Sequence, residues 1–329
     1  KAAEFFGAWG GESVAFTGNA TEALNIVISG LVKKGDHVIT TQAEHNSVLR
    51  PLYRKEKEGA ELTILPVDQK GNFSLEEMEK AVRENTRAVI CTHASNVTGN
   101  LYPAEQIGKL CRRHGLLFIL DAAQSAGEAP IDMQKMYIDV LCFTGHKGLM
   151  GPQGTGGVCV DPQVKIPAFK VGGSGILSFD REHPGCMPEA LEAGTLNIHG
   201  LAGLEAAFDY LQDTGLEKIM EYENRLAEIF YEKIRKIPGV EVYGDFSLPG
   251  RTAVVSLNVA GFTSKEAGDL LAQRYEIATR AGVHCAPLIH QALGTMERGT
   301  LRFSFSRFNT EEEIHRAALA VKEIAGERE

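Results

Sequence analysis

Residues 116–148 read LLFILDAAQSAGEAPIDMQKMYIDVLCFTGHKG, and this stretch carries the clearest signal of the fold class. It holds two apolar runs, LLFIL and VLCF, each followed by a polar residue, Asp121 or Thr144. A continuous apolar run, unlike an alternating one, is typical of a strand that is buried on both faces of a parallel sheet. The stretch therefore predicts an α/β protein in which Asp121 and Thr144 end two buried strands.

Short β-rich runs alternate with helical stretches on the upstream side. Strands are expected at SVAF, HVITT, ELTILPV and TRAVICTH, and helices near residues 21–32, 48–58, 75–84 and 104–114. This βαβα order predicts a mixed, mainly parallel sheet. The run GGVCV at 156–160 follows VLCFT too closely for a helical crossover, so we expect it to be an antiparallel member of that sheet.

The pattern changes in the last third of the chain. Residues 201–237 are mainly helical, and they precede GVEVYG, AVVSLNV, a helix at 265–275, TLRFSFS and a final helix from Thr310. This order predicts a smaller α+β domain. We place the boundary near Tyr210, which divides the chain into a large domain, 1–210, and a small C-terminal domain, 211–329.

Composition restricts the possible partners. A chain of 329 residues is long enough for two domains, and 43% hydrophobic with 23% charged residues is an ordinary globular mixture. The 34 Lys plus Arg against 43 Asp plus Glu give a net charge of −9. That sign argues against nucleic acid and against an anionic membrane surface, so we expect a small-molecule substrate.

Neither a membrane anchor nor a disulfide framework is predicted. No apolar run approaches the ~20 residues of a membrane helix, and residues 1–20 lack a signal-peptide pattern, so we expect a cytoplasmic protein. The six cysteines form no C-x-x-C pair, and four of them lie in apolar patterns. The chain begins at Lys1 inside a helical pattern, which indicates an upstream segment.

Three polar features follow predicted strands, where ligands bind in open α/β sheets. TGNATEAL opens a helix near Thr21 and could bind an anion such as phosphate, although Thr21 could also simply cap that helix. Asp121 could be a cap or a loop contact. Lys147 could be an ordinary surface lysine, but its place between apolar strands and glycines favours burial, which would lower its pKa and favour imine formation.

The combination is more specific than its parts. A pyridinium nitrogen needs a carboxylate, an aldehyde needs a lysine, and a phosphate suits a helix N-terminus. Together with six motifs, these residues make the chain resemble the cysteine desulfurase and selenocysteine lyase group of class V aminotransferase-fold enzymes, which use pyridoxal 5′-phosphate (PLP). The motifs are EHNS at 44–47, HASNVTG at 93–99, DAAQ at 121–124, TGHKG at 144–148, EAGT at 192–195 and RAGVHCAP at 280–287.

The resemblance implies a fold type I PLP-dependent transferase with a sheet of the seven-stranded type. It also implies that Lys147 holds PLP, that Asp121 pairs with the pyridinium nitrogen, and that Gln124 donates to the ring hydroxyl oxygen. His45 would stack on the ring and take part in catalysis. The expected phosphate ligands are Ala20, Thr21, Thr144, His146 and, toward a partner subunit, Thr195. The expected contacts of the substrate are Asn96, Arg280 and Arg302, and Asn96 is also expected near the cofactor.

Two of these roles have simpler alternatives. Arg302 lies in TLRFSFS and could be a surface strand arginine, whereas the resemblance makes it a bidentate partner of the substrate carboxylate. Thr195 could cap the following helix within its own chain, whereas the resemblance gives it to a homodimer in which two-fold symmetry makes each subunit complete the other's site.

Cys285 decides the predicted reaction. It could be a buried structural cysteine, but its loop between Gly282 and Pro287 favours a functional thiol. A cationic His284 beside it would lower the pKa of the thiol. The resemblance then implies that L-cysteine gives L-alanine and a persulfide on Cys285. Because the loop before Arg302 is compact, it also implies a dedicated sulfur-acceptor protein.

Three rival functions stay open at this point. A selenocysteine lyase would use the same scaffold and the same loop cysteine. An ordinary class V aminotransferase would leave Cys285 incidental. A zinc-binding module could use His284, Cys285 and His290, but their spacing fits no common zinc pattern, so no metal is expected.

Overall fold

A computed structural model describes residues 1–248 and 250–327 of the chain. They form two compact units. The first unit comprises Lys1–Leu65, Ser74–His93 and Tyr102–Leu216, and the second comprises Pro66–Phe73, Ala94–Leu101 and the residues from Glu217 onward. Within the described part of the chain, no helix is both long enough and apolar enough to cross a membrane.

The first unit is built on a seven-stranded sheet in the order β1-β7-β6-β5-β4-β2-β3. The neighbouring pairs among β2 to β6 are parallel, while β7 is antiparallel to both β6 and β1. The predicted mixed, mainly parallel sheet and its antiparallel strand at 156–160 are therefore confirmed. The strands are β1 Val14–Thr17, β2 His37–Thr41, β3 Glu61–Leu65, β4 Thr86–Thr92, β5 Leu117–Asp121, β6 Val140–Thr144 and β7 Gly156–Val160.

Helices cover this sheet, and several begin at polar caps. They are α1 Ala2–Phe5, α2 Ala20–Leu31, α3 Asn46–Lys57, α4 Leu75–Lys80, α5 Ala104–His114 and α6 Ile198–Thr214. The apolar face of α2 packs on β6 and β7, and Leu24 and Val27 are fully buried there. Burial of one such side chain stabilises the fold by about 1.5–3 kcal/mol, so this contact holds the N-terminus of α2 against the sheet.

The second unit carries a four-stranded antiparallel sheet in the order β10-β11-β9-β8. Its core includes Phe230, Leu257 and Val321, which are buried between the sheet and its helices. The strands are β8 Val240–Tyr243, β9 Val254–Val259, β10 Arg280–Gly282 and β11 Thr300–Ser304, and the helices are α7 Leu216–Ile234, α8 Ser264–Tyr275, α9 Pro287–Ala292 and α10 Glu311–Ala325. This is the predicted smaller α+β unit.

The division of the chain differs in detail from the sequence-based one. Tyr210 lies inside α6, and the boundary along the chain falls between Leu216 and Glu217. The segment Ala94–Leu101 belongs to the second unit, although it follows β4 of the first, because its backbone carbonyls accept hydrogen bonds from the side chains of Arg251 and of Ser256 on β9. The sequence also left β10 and α9 unassigned, since elements of three and six residues have no readable period.

Candidate active site

The carboxyl ends of the parallel strands bring the predicted residues of the first unit to one edge of the sheet. Thr92 at the end of β4 is in register with Asp121 at the end of β5. The amide of His93 donates to the Asp121 carbonyl oxygen at 2.9 Å. Thr144 ends β6, the other neighbour of β5. Residues that follow β4, β5 and β6 therefore lie side by side, as expected for a ligand site in this fold.

Asp121 is a buried carboxylate, with only 2% of its surface exposed. Its Oδ1 accepts a hydrogen bond from the Ala123 amide at 2.9 Å, so the loop contact considered for it is present. Residues 123–125 form a turn rather than a helix, so Asp121 is not a helix cap. Burial raises the pKa of Asp121, while the Ala123 amide and the charge of Lys147 lower it. A bound cation would stabilise this carboxylate in its ionised form.

Lys147 lies in the tight turn after β6. The turn is closed by hydrogen bonds from the Gly151 amide to the Gly145 carbonyl at 2.7 Å and from the Met150 amide to the Lys147 carbonyl at 2.8 Å. A Cβ at Gly145 would meet the Thr155 hydroxyl, so only glycine fits there. The predicted burial of Lys147 is wrong, because the turn projects beyond the end of the strand and leaves the side chain exposed.

Hydroxyl, imidazole and amide groups beside this turn could hold a phosphate. Thr144 Oγ1 lies 3.0 Å from His146 Nδ1. Ala20 and Thr21 are in the first turn of α2, where backbone N–H groups and the helix dipole attract anions. The cap of α2 is Asn19, whose side chain accepts from the Glu22 amide, so the alternative reading of Thr21 as the cap is wrong.

Four further side chains follow β2, β4 and β5. His45 caps α3, and its Nδ1 accepts from the Ser47 amide at 3.0 Å. Gln124 is half-buried in the turn after Asp121. Sequence reasoning gave no role to Glu44 and His93, which are both buried. Their position within three residues of the ends of β2 and β4 was the signal that could have identified them.

Glu44 and His93 have strongly shifted pKa values. Burial raises the pKa of Glu44 well above its usual range, and the nearby Asp121 raises it further. Burial lowers the pKa of His93 to about 4. The imidazole is therefore neutral near pH 7, and its Nδ1 is buried without a hydrogen-bond partner among residues 1–248 and 250–327.

Thr195 is exposed in the loop before α6. The cap of α6 is Asn197, whose side chain accepts from the Gly200 amide at 3.0 Å, so the alternative reading of Thr195 as the cap is wrong. Thr195 lines a cavity of about 190 Å³ together with Gly18 and Glu22, which lie at the start of α2 in the same chain.

The second unit holds the residues that were expected to contact substrate. Arg280 on β10 is paired directly with Arg302 on β11. Two like charges in this position repel each other, so an anion that bound both would relieve the repulsion. Arg302 is half-buried, and its Nη1 donates to the Asn96 carbonyl at 3.0 Å, which distinguishes it from a plain surface arginine.

Cys285 lies in the turn between β10 and α9, and its thiol is exposed and free. It is therefore not a buried structural cysteine. His284 beside it is 4% exposed, and burial together with the charge of Arg302 lowers its pKa to about 3. The expected cationic His284 is wrong, because this ring is neutral near pH 7. The adjoining strands β10 and β11 carry the positive charges of Arg280 and Arg302.

No group of three or more His, Cys, Asp or Glu side chains that could hold a metal ion occurs among the residues described. The structure thus groups the predicted residues in two sets. The set in the first unit comprises Ala20, Thr21, His45, Asp121, Gln124, Thr144, His146, Lys147 and Thr195, and the set in the second comprises Asn96, Arg280, Cys285 and Arg302.

Comparisons with known proteins agree with one another. The family model for aminotransferase class-V matches residues 1–317. A probable cysteine desulfurase from Methanothermobacter thermautotrophicus is 34% identical over 322 residues, which cover 96% of this chain and 80% of that protein. Another from Synechocystis is 36% identical over 324 residues, with coverages of 95% and 76%. The apo structure of a cysteine desulfurase from Thermococcus onnurineus matches with a TM-score of 0.91 and 33% identity, over 99% of this chain and 82% of that one.

Proposed function

Because this chain belongs to the aminotransferase class-V family, we propose that it is a PLP-dependent cysteine desulfurase that converts L-cysteine to L-alanine and retains the sulfur on Cys285. The observation that carries the proposal is the exposed thiol of Cys285, held in the same unit as the paired arginines Arg280 and Arg302. A thiol in the same unit as paired arginines suits a substrate that has both a sulfur atom and a carboxylate.

The chemistry of the first unit fits PLP. When bound, PLP supplies a ring that withdraws electrons from the substrate carbon next to the amine. The buried Asp121 carboxylate, whose pKa burial raises, would keep a proton on the ring nitrogen. Lys147 offers an amine for the aldehyde and then moves the Cα proton. The phosphate would bind at Thr144, His146 and the first turn of α2, and Gln124 would donate to the ring hydroxyl oxygen.

A planar side chain that stacks on the cofactor ring would hold it in place. His45 is our predicted stacking residue. His93 is a second candidate, because it is bonded to Asp121 through its backbone and keeps a neutral imidazole. A neutral ring can pack on the cofactor without adding a charge beside the pyridinium nitrogen.

The sulfur transfer is balanced without an external oxidant. The Cys285 thiolate attacks the substrate sulfur, an S–S bond forms, and the bond between substrate sulfur and Cβ breaks. The electron pair of that bond goes to carbon, which takes a proton and leaves as alanine. Carbon is reduced, and the two sulfur atoms are oxidised to a persulfide. A sulfur-acceptor protein or a reductant then removes the outer sulfur.

The reaction itself tests the proposal. The PLP-loaded protein should form alanine from L-cysteine without any 2-oxo acid, and sulfide in equal amount once a thiol reductant is present. An aminotransferase would need the 2-oxo acid and would release no sulfur, so absence of alanine under these conditions contradicts the proposal. A parallel assay with selenocysteine measures whether the enzyme prefers selenium.

Arg302→Ala should weaken the binding of L-cysteine, because it removes a charge-assisted pair with the substrate carboxylate. The expected cost is about 2–5 kcal/mol if that pair is desolvated. The concentration of cysteine that half-saturates the absorbance change of the bound cofactor measures it. Arg316→Ala, which removes an exposed arginine from α10 of the same unit, is the matched control and should bind cysteine normally. Unchanged affinity in Arg302→Ala would remove Arg302 from the site.

We also propose that the working enzyme is a homodimer in which Thr195 completes the phosphate site of the partner subunit. Its exposure, together with the assignment of the α6 cap to Asn197, leaves the Thr195 hydroxyl available for such a role. The cavity that Thr195 lines with Gly18 and Glu22 offers the competing explanation, a contact within one chain.

Thr195→Ala should lower the affinity for PLP by about tenfold, the scale of one hydrogen bond to a charged group. For a site shared between subunits, PLP affinity must also fall as the dimer dissociates on dilution. Light scattering during a PLP titration at several protein concentrations measures both, with Thr214→Ala at the end of α6 as the control. A monomer that binds PLP as tightly as the dimer would place the whole phosphate site within one chain.

A further inference from the structure

The turn that carries Cys285 has an unusual backbone. His284 has φ of 50° and Cys285 has φ of 58°, so two consecutive residues with a Cβ lie in the left-handed region. Histidine tolerates this region better than most residues, but cysteine does not. The turn is closed by the Ala286 amide, which donates to the Val283 carbonyl at 2.9 Å. Such a conformation persists only where surrounding groups hold it.

Two buried side chains hold this turn from within the second unit. Asn96 Nδ2 donates to the His284 carbonyl at 2.7 Å. That carbonyl belongs to the peptide group that joins His284 to Cys285, so the contact restrains the backbone of Cys285 directly. On the other side, His284 Nε2 lies 3.1 Å from both the carbonyl and the hydroxyl oxygen of Thr300 on β11.

The charge state of His284 suits an anchor. With its pKa lowered to about 3 by burial, the ring does not take up a proton at working pH. It is therefore a constant hydrogen-bonding group that donates from Nε2 to the Thr300 carbonyl. An imidazole in this state neither acts as a general acid near pH 7 nor places a charge beside the thiol.

Asn96 also connects the turn to the anion site, because Arg302 Nη1 donates to its carbonyl at 3.0 Å. We propose that Asn96 and His284 are positioning residues, which hold the strained turn so that the Cys285 thiol faces the substrate sulfur. This inference rests on the proposed function, since it assumes that Cys285 is the nucleophile. This role is an alternative to the carboxylate contact expected from the sequence, and the two roles predict different results for Asn96→Ala.

The test measures a single turnover. PLP-loaded protein is mixed with saturating L-cysteine, and the persulfide on Cys285 is quantified by mass spectrometry against time. Asn96→Ala should slow persulfide formation by about 10- to 100-fold, since a displacement of about 1 Å of a reacting group has an effect of this size. The cysteine concentration needed for saturation should stay near that of wild type. A residue that only bound the carboxylate would raise that concentration instead.

Two variants of His284 test whether the left-handed backbone conformation of the turn, rather than the stability of the fold, controls the rate. His284→Ala removes the anchor and leaves a residue that disfavours the left-handed region, so we expect a loss similar to that of Asn96→Ala. His284→Asn should stay within about fivefold of wild type, because asparagine adopts this conformation readily and its amide can donate. Equal losses in both variants would contradict the positioning role. Asn96→Asp, which keeps the shape and cannot donate when ionised, replaces Asn96→Ala if the latter does not fold.

Asn100→Ala is the matched control. Asn100 lies in the same segment, is fully buried, and uses its amide to bond the Lys70 carbonyl and Asn72 rather than the turn. Its loss should lower the melting temperature but leave the single-turnover rate within about threefold. A fall in rate as large as that of Asn96→Ala would mean that general loosening of the unit explains both.

Alkylation by iodoacetamide shows whether Asn96 affects the position of the Cys285 thiol or its intrinsic reactivity. Cys186 is the other exposed cysteine among the described residues and serves as the internal reference. In Asn96→Ala, the rate at Cys285 relative to Cys186 should keep its wild-type pH profile, because a small reagent attacks from any direction. A parallel fall in alkylation would overturn the positioning role.

The single-turnover assay distinguishes failure of the proposed function from failure of this inference. Wild-type protein that forms no Cys285 persulfide would contradict the proposed function itself. Persulfide formation that is unaffected in Asn96→Ala would contradict only the positioning role.

Discussion

Lys147→Ala is expected to reduce turnover of L-cysteine by about 1000-fold or more, because the variant loses both the amine that holds the cofactor and the group that moves the Cα proton. Borohydride should fix the pyridoxyl group of the wild-type holoprotein on Lys147, and the yellow colour of the cofactor should disappear with it. Peptide mapping after reduction identifies the modified residue, and an alanine assay gives the turnover.

Control variants test whether Lys147 acts through its positive charge or through the reactivity of its amine. Lys147→Arg keeps a cation in the turn but cannot condense with an aldehyde, so it should be as inactive as Lys147→Ala. Lys135→Ala removes another exposed lysine of the first unit, which pairs with Asp132, and should retain activity. A pyridoxyl label on a different lysine of PLP-loaded protein would refute the assignment of Lys147 and, with it, the role given to the turn after β6.

Cys285→Ser is expected to lose sulfur release by about 100-fold or more, which corresponds to about 2.7 kcal/mol in the barrier. The variant should keep its PLP and should still show the absorbance change on addition of L-cysteine, because the thiol acts only after the substrate has reached the cofactor. Sulfide and alanine are measured with and without reductant, and the spectrum of the cofactor is recorded on the same samples.

Cys186→Ser provides the matched control for Cys285. Both thiols are exposed and free, but Cys186 belongs to the first unit, whereas Cys285 belongs to the unit that contains the paired arginines of β10 and β11. Its replacement should leave sulfur release unchanged. If Cys285→Ser released sulfur at the wild-type rate, Cys285 would not be the nucleophile. The role of Cys285 would then be incidental, as it would be in an ordinary class V aminotransferase.

Local sequence was sufficient for the large sheet and for the residues at its edge. Continuous apolar runs identified β5 and β6, and the carboxyl ends of parallel strands meet at one edge of a sheet, so the sequence alone predicts Asp121 and Thr144 near Lys147. Helix N-termini were nearly as readable, although Asn19 rather than Thr21 proved to be the cap of α2. Periodicity and turn residues act over a few neighbours, which is why a single chain reveals them.

Only the tertiary structure decided the state of the groups that these elements carry. It left Lys147 exposed, placed the segment with Asn96 in the second unit, and paired Arg280 with Arg302 across β10 and β11. It also buried His284, so that the presumed cation next to Cys285 is a neutral anchor. Burial, charge state and backbone strain depend on side chains that lie far away in sequence, such as Asn96, which is 188 positions from the His284 carbonyl that it holds. No local pattern records such neighbours, because desolvation and hydrogen bonding are determined by the packed fold.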